Sequence, residues 1–191
     1  MKLCYIDVET GGLDCDSNPL LQLSGIIEVD DKEVDKFDWY IQPFIYDKLD
    51  PIAMQMLGLD PAVDDRFLNP KDVIYKFTSL LDDYVDKYDK KDKFFFVGYN
   101  SHSFDMPFVR KFFEKNKHKF FGSYFFYPSI DVMLLYGLLF MDRRTKMENF
   151  KLITVAKEAG LEIDEEKFHD GMYDIFITKQ LYKKAQERIS K

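Results

Sequence analysis

Leu3-Cys4-Tyr5-Ile6-Asp7-Val8-Glu9-Thr10-Gly11-Gly12-Leu13 opens the chain with a short apolar run that stops at a Thr-Gly-Gly turn signal. Read as a strand, this run alternates its side chains across a sheet. Asp7 and Glu9 then project from one face, while Ile6 and Val8 project from the other. Taken alone, the Asp-x-Glu triplet is also what a strand end reaching solvent would carry. The rest of the chain decides between these readings.

Leu20–Val29 and Val34–Pro43 read as two further strands joined at Asp30-Asp31, a hairpin. Asn69-Pro70 is a helix start, with Asn as the cap and Pro in the first turn. The apolar stripe Val73, Phe77, Leu80, Leu81, Tyr84, Val85, Tyr88 continues that helix. Phe94–Val97 reads as a buried strand, and helices are expected over about Asp105–Lys115, Ile130–Phe140, Leu152–Ala159 (stopped by Gly160) and about Gly171–Ile189. Strands first and then alternating with helices predict an α/β fold, a mixed sheet with helices packed on its faces.

The 191 residues show neither repeat nor low-complexity linker, so residues 1–191 are expected to form one domain. A 17% share of aromatic residues, with 19 Phe and 12 Tyr, predicts a core filled with rings more than a base-stacking surface. The net charge of −7 argues against a module that coats long nucleic acid through a basic face. It leaves room for an enzyme that handles a few terminal nucleotides beside bound cations. Cys4 and Cys15 lack metal-finger spacing, no signal peptide follows Met1-Lys2, and no apolar run nears membrane-spanning length. A soluble cytoplasmic protein is expected, with no membrane partner.

Two further acids fall where apolar residues dominate. Asp105 heads the stripe Phe108, Val109, Phe112; a first-turn acid also serves the helix dipole, so capping is the competing reading. Asp174 lines up with Ile177, Leu181, Ala185 and Ile189, and no Lys or Arg shares that stripe. A partly buried carboxylate is costly unless paired, protonated or metal-bound. Gathered carboxylates repel and raise each other's pKa unless divalent cations neutralise them, and all-oxygen ligands suit Mg²⁺ or Mn²⁺ better than zinc. Two such ions roughly 3.5–4 Å apart can clamp the attacking and leaving oxygens of a phosphoryl displacement.

Three motifs now carry a resemblance: Tyr5–Leu13; Gly98-Tyr99-Asn100-Ser101-His102-Ser103-Phe104-Asp105-Met106-Pro107-Phe108; and His169-Asp170-Gly171-Met172-Tyr173-Asp174. In order, separation and the His five residues before the last Asp, the chain resembles the DnaQ-like (DEDDh) 3′→5′ exonucleases of ribonuclease H-like fold, whose mixed central sheet bears helices on both faces. The resemblance implies that Asp7, Glu9, Asp105 and Asp174 hold two Mg²⁺ (or Mn²⁺) ions and that His169 deprotonates the attacking water. An imidazole with a pKa of about 6.5 suits that task. It implies that Thr10, Gly11, Gly12 and Leu13 receive the terminal nucleotide, Leu13 against its base, with Asn100 and Phe104 as supports; Phe104 serves equally as core. His102 and His118 have no counterpart in the motifs.

The departures are Gly11 where a second Thr is common, Tyr99 for a frequent His, Gly171 for the usual Ala, one extra residue between Asn100 and Phe104, and Leu57-Gly58-Leu59 where His-Gly-Ile is usual. None removes an implied ligand or base. The implied activity is removal of nucleotides from the 3′ end of single-stranded DNA, with RNA trimming as the alternative and a non-catalytic nucleic-acid-binding member of the fold as a third reading. A homodimer or a polymerase partner is left open by the sequence.

Overall fold

The computed structural model describes residues 1–167 and 170–189. The first strand, β1 (Lys2–Thr10), is followed by β2 (Leu20–Val29) and β3 (Lys32–Ile41), then helix α1 (Pro51–Leu57), β4 (Phe67–Leu68), α2 (Pro70–Asp82) and β5 (Phe95–Gly98). The second half holds α3 (Asp105–Lys115), α4 (Phe121–Tyr124), β6 (Ile130–Asp131), α5 (Val132–Leu139), α6 (Leu152–Glu158) and α7 (Gly171–Ile189). The strands form one sheet in the order β4-β3-β2-β1-β5-β6. β1 pairs antiparallel with β2 and parallel with β5, and β5 pairs parallel with β6.

Alternation along β1 explains the layers. Cys4, Ile6 and Val8 face a core built with Val73, Phe77 and Leu81 of α2 and Val109, Phe112 and Phe113 of α3. Leu3 and Tyr5 face the opposite core, with Val132 and Tyr136 of α5, Val155 of α6 and Ile175, Ile177 and Leu181 of α7. Helices thus cover both faces of a mixed sheet, as the motif resemblance implied. Rings fill much of the interior: Tyr5, Phe77, Phe94, Phe96, Phe113, Tyr124, Tyr136 and Phe140 are fully buried. Burying such side chains contributes roughly 1.5–3 kcal/mol apiece before the opposing chain entropy is counted.

The hairpin lies where expected, with Asp30 (φ 48°) and Asp31 (φ 63°) both left-handed, the geometry a two-residue turn of the mirror-image type demands. That turn starts β3 at Lys32, two residues before the expected Val34, and β3 ends at Ile41. Asn69 caps α2 by accepting from the Lys71 backbone N–H at 2.9 Å, and Pro70 occupies its first position. The helix ends at Asp82, earlier than the stripe to Tyr88 suggested. Acids at Asp82 and Asp83 are unfavourable beside the negative helix terminus, and although Val85 stays buried, Tyr88 is exposed. The strand expected over Phe94–Val97 is shifted by one residue, and Phe94 makes an isolated bridge to Phe125. The helix expected from Ile130 begins at Val132, because Ile130 and Asp131 pair as a strand with Val97 and Gly98.

Candidate active site

β1 and β5 run parallel, and the crevice outside the carboxyl ends of such strands is where open α/β sheets place their ligands. Asp7 and Glu9 lie near the end of β1, half-buried between buried Ile6, Val8 and Thr10. Asp105, the first residue of α3, is 4% exposed, and its Oδ1 accepts the Val8 backbone N–H at 3.1 Å. That bond ties the third carboxylate to the backbone between the residues that carry the first two. From the other side of the sheet α7 brings Asp174, half-buried, in its first turn. The helix approaches closely because residue 171 has no side chain: a Cβ there would stand 3.0 Å from Ser24 Oγ and 3.5 Å from Asp7 Oδ2. The Gly171 departure thus brings the helix start against Asp7.

The electrostatics record the convergence. Burial raises the Asp7 carboxyl well above the usual range, and Asp105, Glu9 and Asp174 raise it further. Glu9 is pushed up to about 7, first by burial and then by Asp174. Asp105 is pushed up to about 7 by burial and by the charges of Asp131 and Glu9, against the lowering effect of backbone N–H groups including that of Val8. Each carboxylate therefore feels another, as gathered like charges must. Among the described residues, no group of three or more His, Cys, Asp or Glu side chains stands close enough, as placed, to hold a metal ion. The acids share a neighbourhood without forming a closed cage. An all-oxygen, like-charged and partly desolvated donor set nevertheless fits a hard divalent cation, which would relieve the repulsion that raises these pKa values.

A measurable consequence concerns pH. Glu9 and Asp105 keep protons up to about pH 7 in the folded chain but release them near their ordinary values of 4.5 and 3.8 when unfolded. Between those limits the folded state binds more protons, so their contribution to stability is present at low pH and lost as pH rises towards 7. Protons also compete with cations for the same oxygens. The gain in melting temperature on adding Mg²⁺ should therefore grow between pH 5 and pH 8; a gain that is flat or shrinks across that range would contradict the placement.

The turn after β1 is tightly built. Thr10 Oγ1 donates to the Gly12 carbonyl at 2.7 Å, Gly11 N–H donates to the Pro19 carbonyl at 2.9 Å, and the Gly11 carbonyl accepts from Asp50 N–H at 2.7 Å. A Cβ on Gly12 would fall 2.4 Å from Asn18, whose Oδ1 accepts from Asp14 N–H at 2.9 Å. From this frame Leu13 stands out, 87% exposed. Asn100 takes a left-handed backbone (φ 61°) and is half-exposed. Phe104 is half-buried, its ring 5.0 Å from that of Phe108, so it belongs to the core margin as well as to the motif. Tyr99 donates its hydroxyl to the Phe150 carbonyl at 2.6 Å, a structural bond linking β5 to the segment before α6.

Other expectations sort as follows. Leu57-Gly58-Leu59 closes α1, with Gly58 left-handed (φ 62°) at its end. Cys15 lies in the turn between β1 and β2, among Asp14, Asp16, Ser17 and Asn18, half-buried and packed against the core. Ile177, Leu181 and Ala185 are buried with α7, whereas Ile189 is exposed at its end. His169 lies outside the described residues; next to it, Asp170 Oδ1 accepts the Met172 and Tyr173 backbone N–H groups at 3.0 and 3.1 Å.

Asp131 was not singled out from the sequence. It is 5% exposed, its Oδ1 accepts from Asn100 N–H (3.0 Å) and Met133 N–H (3.0 Å), and its Oδ2 accepts from His102 N–H (3.1 Å). It pins the second motif's loop while capping α5. The signal was available, since it is an acid inside the apolar run Ile130–Phe140, the same anomaly that marked Asp105.

Among the described residues no helix is long and apolar enough to cross a membrane. An exonuclease family model matches residues 4–182. The chain is 27% identical over 190 residues to ribonuclease T of Shewanella denitrificans, covering 93% of this chain and 76% of that one. It is 24% identical over 194 residues to the DNA polymerase III PolC-type of Pediococcus pentosaceus, covering 98% of this chain and 12% of the polymerase. Among solved structures, E. coli exonuclease I in complex with a dT13 oligonucleotide superposes with a TM-score of 0.76 at 20% identity, over 98% of this chain and 42% of that one. The chain thus spans about two fifths of exonuclease I, and this likeness shows the fold. With the family model spanning all but its ends, the chain belongs to the DnaQ-like exonucleases, divalent-metal-dependent 3′→5′ phosphodiester hydrolases.

Proposed function

We propose that this chain removes nucleotides from the 3′ end of single-stranded DNA and releases 5′-mononucleotides, with Asp7, Glu9, Asp105 and Asp174 as ligands of two Mg²⁺ (or Mn²⁺) ions. The observation that carries this reading is the meeting of four acids from three elements at the end of β1: Asp7 and Glu9 on the strand, Asp105 bonded to the Val8 N–H, and Asp174 in the first turn of α7, whose Gly171 lies against Asp7. Buried acids that destabilise one another are hard to explain as architecture and simple to explain as cation ligands. When bound, the cations would stabilise the charge on the attacking and leaving oxygens of the phosphate.

The chain's own residues would do the rest. Leu13, exposed on a rigid turn, lies against the terminal base, and the backbone of Thr10 to Gly12 flanks the terminal sugar. Asn100 and Phe104 line the opposite side from the loop that Asp131 holds. His169 accepts the proton of the attacking water on an imidazole nitrogen. Oxygen then bonds to phosphorus, the bond from phosphorus to the 3′ oxygen of the preceding nucleotide breaks, and that oxygen is protonated as it leaves.

DNA is favoured by the fold shared with exonuclease I, solved with a dT13 strand, and RNA by the sequence likeness to ribonuclease T. A non-catalytic role is disfavoured by the complete set of four acids and His169. Two free cysteines fit a reducing cytoplasm. The deciding assay compares matched 5′-labelled DNA and RNA strands with Mg²⁺, Mn²⁺ or EDTA. The expected result is a ladder of strands shortened from the 3′ end, faster on DNA and absent in EDTA. Cleavage in EDTA, or an intact 3′ end with either ion, would refute the reading.

A further inference from the structure

α3 leaves the acid cluster with Asp105, Met106, Phe108, Val109, Phe112 and Phe113 buried. The flank beside that buried stripe carries exposed Arg110, and two surface hollows open along it. The first, of about 390 Å³, lies among His102, Met106, Pro107, Arg110 and Tyr127. The second, of about 520 Å³, lies among Arg110, Lys117, His118, Lys119 and Phe121. Arg110 borders both, so the two hollows lie in succession along the helix, the first beginning at the residue after Asp105 and the second reaching the segment beyond the helix end.

Charge singles this flank out. The chain carries a net −7, yet Arg110, Lys117 and Lys119 are gathered here and all are exposed. Among the described residues none of the three takes part in an ion pair. The acid of the second hollow, Glu114, is paired with Lys111 at 2.9 Å. Arg110 is positioned by the Phe121 ring, 4.6 Å beneath its guanidinium. At the end near the acids, Tyr127 is 73% exposed, with its ring 5.6 Å from that of His102. Cations spaced along a track with an open aromatic ring are what a single strand needs: phosphates pair with the cations and a base stacks on the ring.

The geometry points to this flank of α3 as the track for the strand upstream of the 3′ end, its phosphates on Arg110, Lys117 and Lys119 and one base against Tyr127. The inference rests on the proposed function, which puts the strand's end at the acids. From Asp105 to Lys117 is about 18 Å at roughly 1.5 Å per residue, on the order of five nucleotides at a stacked spacing of about 3.4 Å. A strand of about five nucleotides should span from the acids to Lys117, whereas a dinucleotide, whose one phosphate lies at the acids, should leave the three cations unoccupied.

The test uses the full chain and the double variant Arg110→Ala/Lys119→Ala, whose folding is checked by its melt. Binding of a 5′-labelled dT12 strand is followed by anisotropy in EDTA, where nothing is cleaved. Hydrolysis of dT12 and of a dinucleotide is followed in Mg²⁺. The double variant should bind dT12 about tenfold more weakly and show KM for dT12 raised to match. Its salt slope should be shallower by about 1.4, two lost contacts at about 0.7 each on single strands. Tyr127→Ala should weaken dT12 binding several-fold with the slope unchanged.

Equal losses on dT12 and dinucleotide, or unchanged dT12 affinity in the double variant, would overturn the track. So would displacement of dT12 by polyglutamate as readily as by unlabelled dT12, which would mark an acidic protein surface as the occupant. If the parent binds dT12 and the double variant does so weakly, but neither cleaves it, the track stands and the proposed hydrolysis fails.

Discussion

Asp7→Asn should stop nucleotide release from a labelled strand and, in EDTA at pH 7, raise the melting temperature. Both effects have one cause. Asp7 is the carboxylate that Asp105, Glu9 and Asp174 all act upon. In the metal-free chain its charge is a burden that the amide removes at nearly the same volume. Relief of even ~1 kcal/mol shifts the melting point by roughly 2–4 °C in a chain of this size. With Mg²⁺ present the order should invert: the parent gains stability from bound cations, and the variant, short of one ligand, gains less. Melts with EDTA and with Mg²⁺, alongside the hydrolysis assay, give all of these numbers. Full activity in the variant would remove Asp7 from the site, and a lower melting point in EDTA would mean that its carboxylate is held by favourable contacts.

Asp131→Ala should be the most damaging single change to the second motif's loop. It strips an acceptor from the backbone N–H groups of Asn100, His102 and Met133 in a nearly closed environment. An orphaned buried donor costs about 1–3 kcal/mol. Because water can reach part of the opened space, a total loss of about 3 kcal/mol is expected, or roughly 6–12 °C of melting temperature. Asn100 sits in a left-handed conformation that its surroundings must hold, so kcat/KM should fall about tenfold as the loop loosens. Asp131→Asn offers a graded control. Its single oxygen, placed as Oδ1, can still serve Asn100 and Met133, leaving only His102 without its acceptor. It should therefore fall between parent and alanine in both readouts. Equal behaviour of the two variants would remove the hydrogen bonds as the cause.

What the sequence made legible follows from how locally each feature is determined. Alternation along Leu3–Thr10 is a property of any strand, so the placement of Asp7 and Glu9 on one face needed only the strand itself. The Asn69-Pro70 start and the Asp30-Asp31 turn are equally local. β6 was hidden because two residues have no periodicity; only pairing with Val97 and Gly98 makes Ile130-Asp131 a strand. α1 was missed although Asp50-Pro51 repeats the signature of Asn69-Pro70, with Asp50 Oδ1 accepting from Ile52 N–H at 2.8 Å. Its seven residues are apolar except Gln55, so the sequence shows no contrast between an apolar and a polar face, and none of them is buried. The site divides the same way. Acids heading apolar stripes exposed Asp105 and Asp174, and Asp131 carries the same mark, but its task, collecting backbone donors from a loop some thirty residues earlier, exists only in three dimensions.

The packing of α7 across β1 has a bearing on how this protein is made. Its acid cluster takes one helix start from residue 174 and its first two members from residues 7 and 9, with Asp105 between. A nascent chain emerging from a ribosome has therefore exposed β1 to β6 and α1 to α6 before the last carboxylate can join the others. Until α7 docks, a partly emerged chain lacks one of the four acids proposed as metal ligands, and by that proposal any cleavage of messenger RNA nearby would have to wait for it.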